Sequence, residues 1–136
     1  MPIFKHLDDT LSVGGQIDTA DLRELAKAGF NAVIVNRPDG EEAGQPSFAA
    51  IAHAASEWGM SARHVPMISG KVGADDAAAM AEALGASNAP VFAYCRPGTR
   101  SAQAWALVQR DRGMDADEIV RRAADAGYDV APLVKP

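Results

Sequence analysis

Short apolar runs alternate along this chain with longer segments of helical periodicity, and this alternation constrains the fold more than any other feature. Ala32–Val35 and Val91–Tyr94 show no polar alternation, which is typical of strands in a parallel sheet covered on both faces. Repeated strand–helix units predict an α/β domain of three layers, with a mostly parallel central sheet flanked by helices. Helical patterns begin near Asp18, Ser47, Asp75, Arg100 and Asp115, and each is followed by a glycine.

The length of the chain bounds the number of domains. Its 136 residues, of which 48% are hydrophobic and 23% charged, suit a single domain over residues 1–136. Further strands are predicted near residues 3–7, 11–13 and 62–67. Because ligands of open α/β sheets bind beyond the carboxyl ends of the strands, the loops after Val35 and after Tyr94 are the candidate sites.

Charge and composition argue against several function classes. The net charge is −5 without a basic stripe, so nucleic acid is not an expected partner. No apolar run approaches the roughly 18 residues of a membrane span, and the first residues show no signal-peptide pattern. With a single cysteine, these features predict a cytoplasmic protein that is not bound to a membrane. His6, His53 and His64 lack metal-ligand spacing, so neither a metal nor a cofactor is expected.

The loop after Tyr94 carries the strongest chemical signal. It places the only thiol, Cys95, between a buried strand and a helix. Free backbone N–H groups and the helix dipole stabilise an anion at such a junction, and Arg96 and Arg100 favour the thiolate further. Cys95 is therefore the candidate nucleophile, and Arg100 is the candidate clamp for a tetrahedral oxyanion.

The rest of this loop is assigned to substrate binding. Gly98 allows the backbone to curl so that several N–H groups converge on one point, and Ser101 can hydrogen-bond the sulfur or cap the helix. The alternative is structural, since a lone cysteine is often only a small buried hydrophobic residue. The candidate substrate-binding residues are Arg96, Pro97, Gly98, Thr99 and Ser101.

Cleavage of a phosphate ester also needs a general acid for the leaving oxygen. Asp75 and Asp76 precede a predicted helix and are candidates, although Asp is favoured at a helix N-cap for its own reasons. Both interpretations stay open from the sequence.

The loop after Val35 offers a second set of candidates. Asp39, Glu41 or Glu42 could act as the acid, and Arg37 could extend the anion site. Two structural alternatives are a solvated turn, which the Arg-Pro-Asp-Gly sequence favours, and a salt bridge from Asp39 or Glu41 to Arg37 or Arg100.

Three segments of the chain carry a resemblance to a known family: residues 12–16, residues 36–42 with Gln45 and Pro46, and residues 94–101 with Trp105. Together they resemble the phosphatase-like domain of the bacterial beta-lactamase-hydrolase-like proteins. The resemblance covers residues 11–128 and implies the fold of the dual-specificity phosphatases, a central parallel sheet flanked by helices. It also implies that the domain occurs alone or fused to a metallo-beta-lactamase-fold partner of the persulfide dioxygenase kind.

The cysteine loop itself resembles the loops of two related chemistries. Tyrosine and dual-specificity phosphatases have five residues between Cys and Arg, and usually a His before the Cys. Here four residues separate Cys95 from Arg100, and Tyr94 stands where the His would be. Rhodanese-type sulfurtransferases have loops with this shorter Cys-x4-Arg spacing.

These observations rank three hypotheses. The first is a rhodanese-like transfer of sulfane sulfur from thiosulfate or a persulfide to a thiol acceptor, since a leaving sulfite or thiolate is already stable as an anion. The alternative is a phosphatase with a cysteinyl-phosphate intermediate and an acid from Asp39, Asp75 or Asp76. The third is a non-catalytic anion-binding or interaction module that docks on a metallohydrolase.

Overall fold

The computed structural model describes residues 3–136, which form one five-stranded sheet and six helices. The strands are β1 (Phe4–His6), β2 (Leu11–Gly14), β3 (Ala32–Val35), β4 (Ser61–His64) and β5 (Val91–Tyr94). The helices are α1 (Asp21–Lys27), α2 (Phe48–Glu57), α3 (Ala74–Gly85), α4 (Thr99–Asp111), α5 (Ala116–Asp125) and α6 (Ala131–Val134). Over these residues, every helix is too short or too polar to span a lipid bilayer.

The strand order places β5 at the centre of the sheet. The order is β1-β2-β5-β3-β4, with β1 antiparallel to β2 and all other neighbours parallel. In the register, Tyr94 at the end of β5 is level with Gly14 of β2 and Val35 of β3. The predicted fold class is confirmed, and the ends of three parallel strands meet beside Cys95.

Each face of the sheet packs against its own layer of helices, because side chains alternate along every strand. Val91 and Ala93 of β5 belong to a hydrophobic cluster with α3, α4 and α5, whereas Phe92 and Tyr94 belong to a cluster with α1 and α2. Burial on both faces explains why the sequences of β3 and β5 are apolar throughout.

Three element boundaries differ from the predicted ones. α1 begins at Asp21 with Ala20 as its N-cap residue, and not at Asp18, whose backbone N–H donates to the Asp21 carboxylate at 2.8 Å. β4 ends at His64, although the backbone N–H groups of Val65 and Met67 still donate to the carbonyls of Val35 and Asn36 at 2.9 Å. Gly85 belongs to α3 as its last residue. The short helix α6 was not predicted.

Candidate active site

Cys95 lies at the middle of the carboxyl edge of the sheet, directly after β5. It is fully buried, and the following residues turn back over its side chain. The backbone N–H of Gly98 donates to Cys95 Sγ at 3.2 Å. Since Gly98 is the N-cap residue of α4, the sulfur lies where unpaired N–H groups and the helix dipole favour negative charge.

Gly98 makes this tight turn possible. Its φ of +114° lies in the left-handed region that side chains disfavour. A Cβ at this position would also lie 3.0 Å from the Gly14 carbonyl oxygen and would overlap the Tyr128 hydroxyl. That hydroxyl donates to the Pro97 carbonyl at 3.4 Å. The loop is therefore packed between the end of β2 and the segment after α5.

Arg100 lies in the first turn of α4 and is 5% exposed. Its Nη1 donates to Glu41 Oε2 at 2.8 Å and to the Met67 carbonyl at 2.9 Å, while its Nη2 donates to Glu41 Oε1 at 2.9 Å. Glu41 thus occupies the edge of the guanidinium that the two Nη atoms form. Among residues 3–136, no protein oxygen accepts the Arg100 Nε–H, and the nearby Cys95 sulfur also raises the pKa of Arg100. The guanidinium edge formed by Nε and Nη2 is therefore the one left for an oxyanion.

The charge states of this pair follow from the same hydrogen bonds. The bond from Arg100 holds the pKa of Glu41 below its ordinary value, burial opposes this, and Arg37 adds to the lowering. The bond to Glu41 in turn raises the pKa of Arg100, against the effect of burial. At neutral pH Glu41 is therefore a charged acceptor and not the proton donor that the sequence left open.

Arg37 is buried in the same cluster and directs its donors at protein groups. Its Nε donates to Glu41 Oε1 at 2.9 Å, and its Nη1 donates to Gln16 Oε1 at 2.8 Å. Glu42 lies 3.5 Å from Arg37 Nη2 and also pairs with the exposed Arg96, which is the main reason that the pKa of Glu42 is lowered. These ion pairs tie the loop after β3 to the cysteine loop.

The three predicted aspartate acids lie at helix N-termini. Asp39 Oδ1 accepts the N–H of Phe48 at 2.8 Å, and Asp76 Oδ2 accepts the N–H of Gly73 at 3.0 Å. Asp75 is exposed in the first turn of α3. Within the described part of the chain, no hydrogen bond joins these carboxylates to residues 95–101. Their role as general acid therefore stays a prediction.

Ser101 is buried, and its hydroxyl does not make the expected hydrogen bond to the sulfur. Ser101 Oγ donates to Asn36 Oδ1 at 2.7 Å, and Asn36 Nδ2 donates to the Val65 carbonyl at 3.0 Å. The hydroxyl proton is therefore used to join α4 to the segment after β3, instead of contacting the sulfur. Of the remaining loop residues, Pro97 is exposed and Thr99 is half-buried.

Sequence reasoning missed four residues that surround the loop. Gln16 follows β2 and Asn36 follows β3, so the rule that sites form at strand ends could have found both. Met67 acts through its backbone carbonyl, and Tyr128 reaches the loop from beyond α5. No local pattern signals either contact.

Known proteins resemble this chain in sequence. The family model described as the phosphatase-like domain of beta-lactamase hydrolase-like protein matches residues 3–112. The beta-lactamase hydrolase-like protein of Xylella fastidiosa strain Temecula1 is 30% identical over 129 residues, which are 94% of this chain. They are only 30% of that protein, so the chain spans less than a third of this curated relative.

Solved structures resemble it in fold. A candidate phosphatase from Neisseria meningitidis Z2491 superposes with a TM-score of 0.85 at 34% identity, covering 96% of this chain and 93% of that one. The core catalytic domain of the PP-IP phosphatase SIW14 from S. cerevisiae has a TM-score of 0.68 at 12% identity, with 98% and 76% covered. The second likeness concerns the fold alone. The residues that the family model matches include the whole sheet and the cysteine loop. This chain therefore belongs to the family of phosphatase-like domains of the beta-lactamase hydrolase-like proteins.

Proposed function

We propose that this domain is a cysteine-dependent phosphatase that hydrolyses small phosphomonoesters. The observation that carries the proposal is the loop geometry. The sulfur of buried Cys95 accepts the Gly98 N–H at 3.2 Å beside the start of α4, and Glu41 anchors Arg100, whose guanidinium lies near the sulfur. Cys95 is the proposed nucleophile. Arg100 and the backbone N–H groups of residues 96–101 are the proposed oxyanion ligands.

The reaction has two steps. The Cys95 thiolate attacks the phosphorus, and the phosphorus–oxygen bond to the organic group breaks, so that this oxygen leaves with the bonding electrons and takes up one proton, which the water consumed in the second step returns. Arg100 and the loop N–H groups hold the phosphoryl oxygens of the phosphocysteine. Water then attacks the phosphorus, the phosphorus–sulfur bond breaks, and inorganic phosphate and the thiolate are released. One water molecule is consumed for each ester.

Phosphate chemistry replaces sulfur transfer as the first hypothesis. The solved structures that share this fold include proteins named as phosphatases. Sulfur transfer keeps one supporting observation, the four residues between Cys95 and Arg100. In that reaction the thiolate would take the outer sulfur of thiosulfate and sulfite would leave, so the same two residues would serve.

The partners of this domain are also part of the proposal. A small anionic substrate follows from the proposed reaction. The persulfide dioxygenase partner and the cytoplasmic location stay predictions. The longer curated relatives have length for a further domain, because the matched region is 30% of the Xylella protein.

The proposal is tested by measuring aryl phosphate hydrolysis by the wild type and by two variants. Cys95→Ser removes the nucleophile, and we expect at least about a thousandfold loss of kcat/KM. Arg100→Lys keeps the charge but loses the planar two-pronged contact, and we expect about a hundredfold loss. Arg110→Lys is the matched control, because Arg110 is exposed on the same helix, and it should keep full activity.

A parallel assay separates the alternatives. The reduced protein is incubated with thiosulfate, desalted and weighed intact. Phosphate release that depends on Cys95, without a gain in mass, supports the phosphatase. A gain of one sulfur atom that cyanide removes and Cys95→Ser prevents, without phosphate release, would establish the sulfurtransferase instead. If the protein shows neither activity, the non-catalytic anion-binding module is the hypothesis that remains.

A further inference from the structure

A groove of about 750 Å³ opens directly beside the cysteine loop, on the side of β1 and β2. Its volume is that of a small-molecule site. It shares Pro97 and Thr99 with the loop, so a group attached to a bound phosphate could extend into it. The other lining residues are Ile3, Lys5, Gly14, Gly15, Gln16, Ile17, Asp18, Asp21, Ala126, Gly127 and Tyr128.

The end of the groove at the loop is formed by small residues and one aromatic ring. The Tyr128 hydroxyl donates to the Pro97 carbonyl at 3.4 Å, which fixes the ring against the loop. Burial is the main reason that the pKa of Tyr128 is raised, and the nearby Cys95 adds to it, so the hydroxyl stays neutral. Opposite residues 97–98 lies the bare backbone of Gly14 and Gly15.

Gly15 keeps this passage open without being required by the backbone. Its φ is not in the left-handed region, and a Cβ there would meet Pro97 atoms at 3.6–3.8 Å, which is ordinary contact. A Cβ at this position therefore fits the fold, and a longer side chain would take up space in the groove that Gly15 lines. A substitution of Gly15 can therefore test whether the groove binds part of the substrate.

The charge of the groove determines what it accepts. Lys5 contributes one positive charge, whereas Asp18 and Asp21 contribute two negative charges, so the lining carries a net charge of −1. The Asp18 side chain is exposed, and Asp21 is held at the start of α1 by the hydrogen bond from the Asp18 N–H. A second anionic group in the groove would be repelled, while a neutral or cationic group would not.

We propose that this groove binds the organic part of the substrate and that it selects monophosphates whose organic part is uncharged or cationic. The proposal rests on the phosphatase function proposed above. Tyr128 supplies an aromatic wall, Gly15 supplies the opening, and Asp18 with Asp21 disfavours a second phosphate or a carboxylate.

The test compares three phenyl phosphates that carry a neutral, a trimethylammonium or a carboxylate substituent, with rates corrected for the basicity of the leaving phenolate. We expect kcat/KM for the carboxylate to be about tenfold lower than for the other two, and this ratio to shrink in high salt. Asp18→Asn/Asp21→Asn should bring the carboxylate substrate to within about twofold of the neutral one. Asp9→Asn/Asp111→Asn is the control, because it changes the net charge equally at residues outside the groove.

A second pair of measurements separates the groove from the loop. Gly15→Leu should raise KM for the neutral substrate about tenfold, while inhibition by orthovanadate, which needs only the loop, keeps its constant. Equal rates for all three substrates, no effect of the double Asn variant, or an unchanged KM in Gly15→Leu would each overturn the groove assignment. If no phenyl phosphate is hydrolysed and vanadate does not protect Cys95 from alkylation, the phosphatase proposal itself fails.

Discussion

At the scale of single residues, Glu41 governs the candidate site more than the aspartates that the sequence offered as acids. Its two carboxylate oxygens accept hydrogen bonds from Arg100, and one of them also accepts from Arg37. Both arginines are almost completely buried. A carboxylate between two buried guanidinium groups offsets charges that would otherwise be costly to bury.

We predict that Glu41→Gln lowers the free energy of unfolding by about 1–3 kcal/mol at pH 7, since the variant leaves Arg100 without its charged partner. The folded-state pKa of Glu41 lies below its ordinary value. The contribution of the pair is therefore complete above pH about 4.5 and is lost as the pH falls through the lowered pKa.

Urea titrations of both proteins from pH 8 to pH 3 check this prediction. The difference between them should stay constant down to about pH 5 and then shrink, because protonated Glu41 resembles glutamine. Glu82→Gln is the control, as Glu82 is exposed on α3 and makes no ion pair within residues 3–136. A difference that is independent of pH would contradict the assignment of an ion pair.

At the scale of elements, the site depends on how β5 passes into α4. The polypeptide must reverse over Cys95 within three residues, and Gly98 does this at a φ of +114° against Gly14 and Tyr128. Several helices were predicted close to their true bounds because their apolar spacing, caps and glycines are local signals. The sequence did not predict α6 or the end of β4 correctly, because the docking of α6 on α4 and the edge position of β4 are tertiary features.

We predict that Gly98→Ala destabilises the protein by about 2–4 kcal/mol and abolishes activity, because the backbone conformation and the contacts with Gly14 and Tyr128 are both disfavoured. Gly113→Ala is the matched control. Gly113 also has a positive φ, of +91°, but a Cβ there meets nothing within 4 Å, so it should cost only about 1 kcal/mol. Thermal unfolding measures the stability that each variant loses. Equal losses in the two variants would contradict the prediction.

At the scale of the whole molecule, one sheet joins two hydrophobic clusters. Each of β3 and β5 contributes alternate residues to both clusters, so neither layer of helices has a core of its own that is independent of the sheet. Trp105 lies in one cluster and Ile51 in the other, and both are fully buried.

We predict that the chain unfolds as one cooperative unit, as the single-domain interpretation requires. Ile51→Ala should lower the stability by about 2–5 kcal/mol. In a Trp58→Phe background Trp105 is the only tryptophan, and its fluorescence should report the same loss as circular dichroism although it lies on the opposite face. Ile68→Ala, at a side chain that is 57% exposed, should change stability by less than about 0.5 kcal/mol. A Trp105 transition that does not shift in Ile51→Ala would indicate two independent units.

The sequence by itself determined the layer architecture and the position of the candidate nucleophile. Both depend on local patterns: the period of the apolar residues, and a Cys, a Gly and an Arg placed at the junction of a strand and a helix. The tertiary structure decided which groups complete the site. Glu41 meets Arg100 across 59 positions of the chain, and Tyr128 meets Pro97 across 31. The first contact exists because parallel strands bring the carboxyl ends of β3 and β5 to one edge of the sheet, and the second because α5 packs against α4. Residue spacing along the chain carries no record of either meeting.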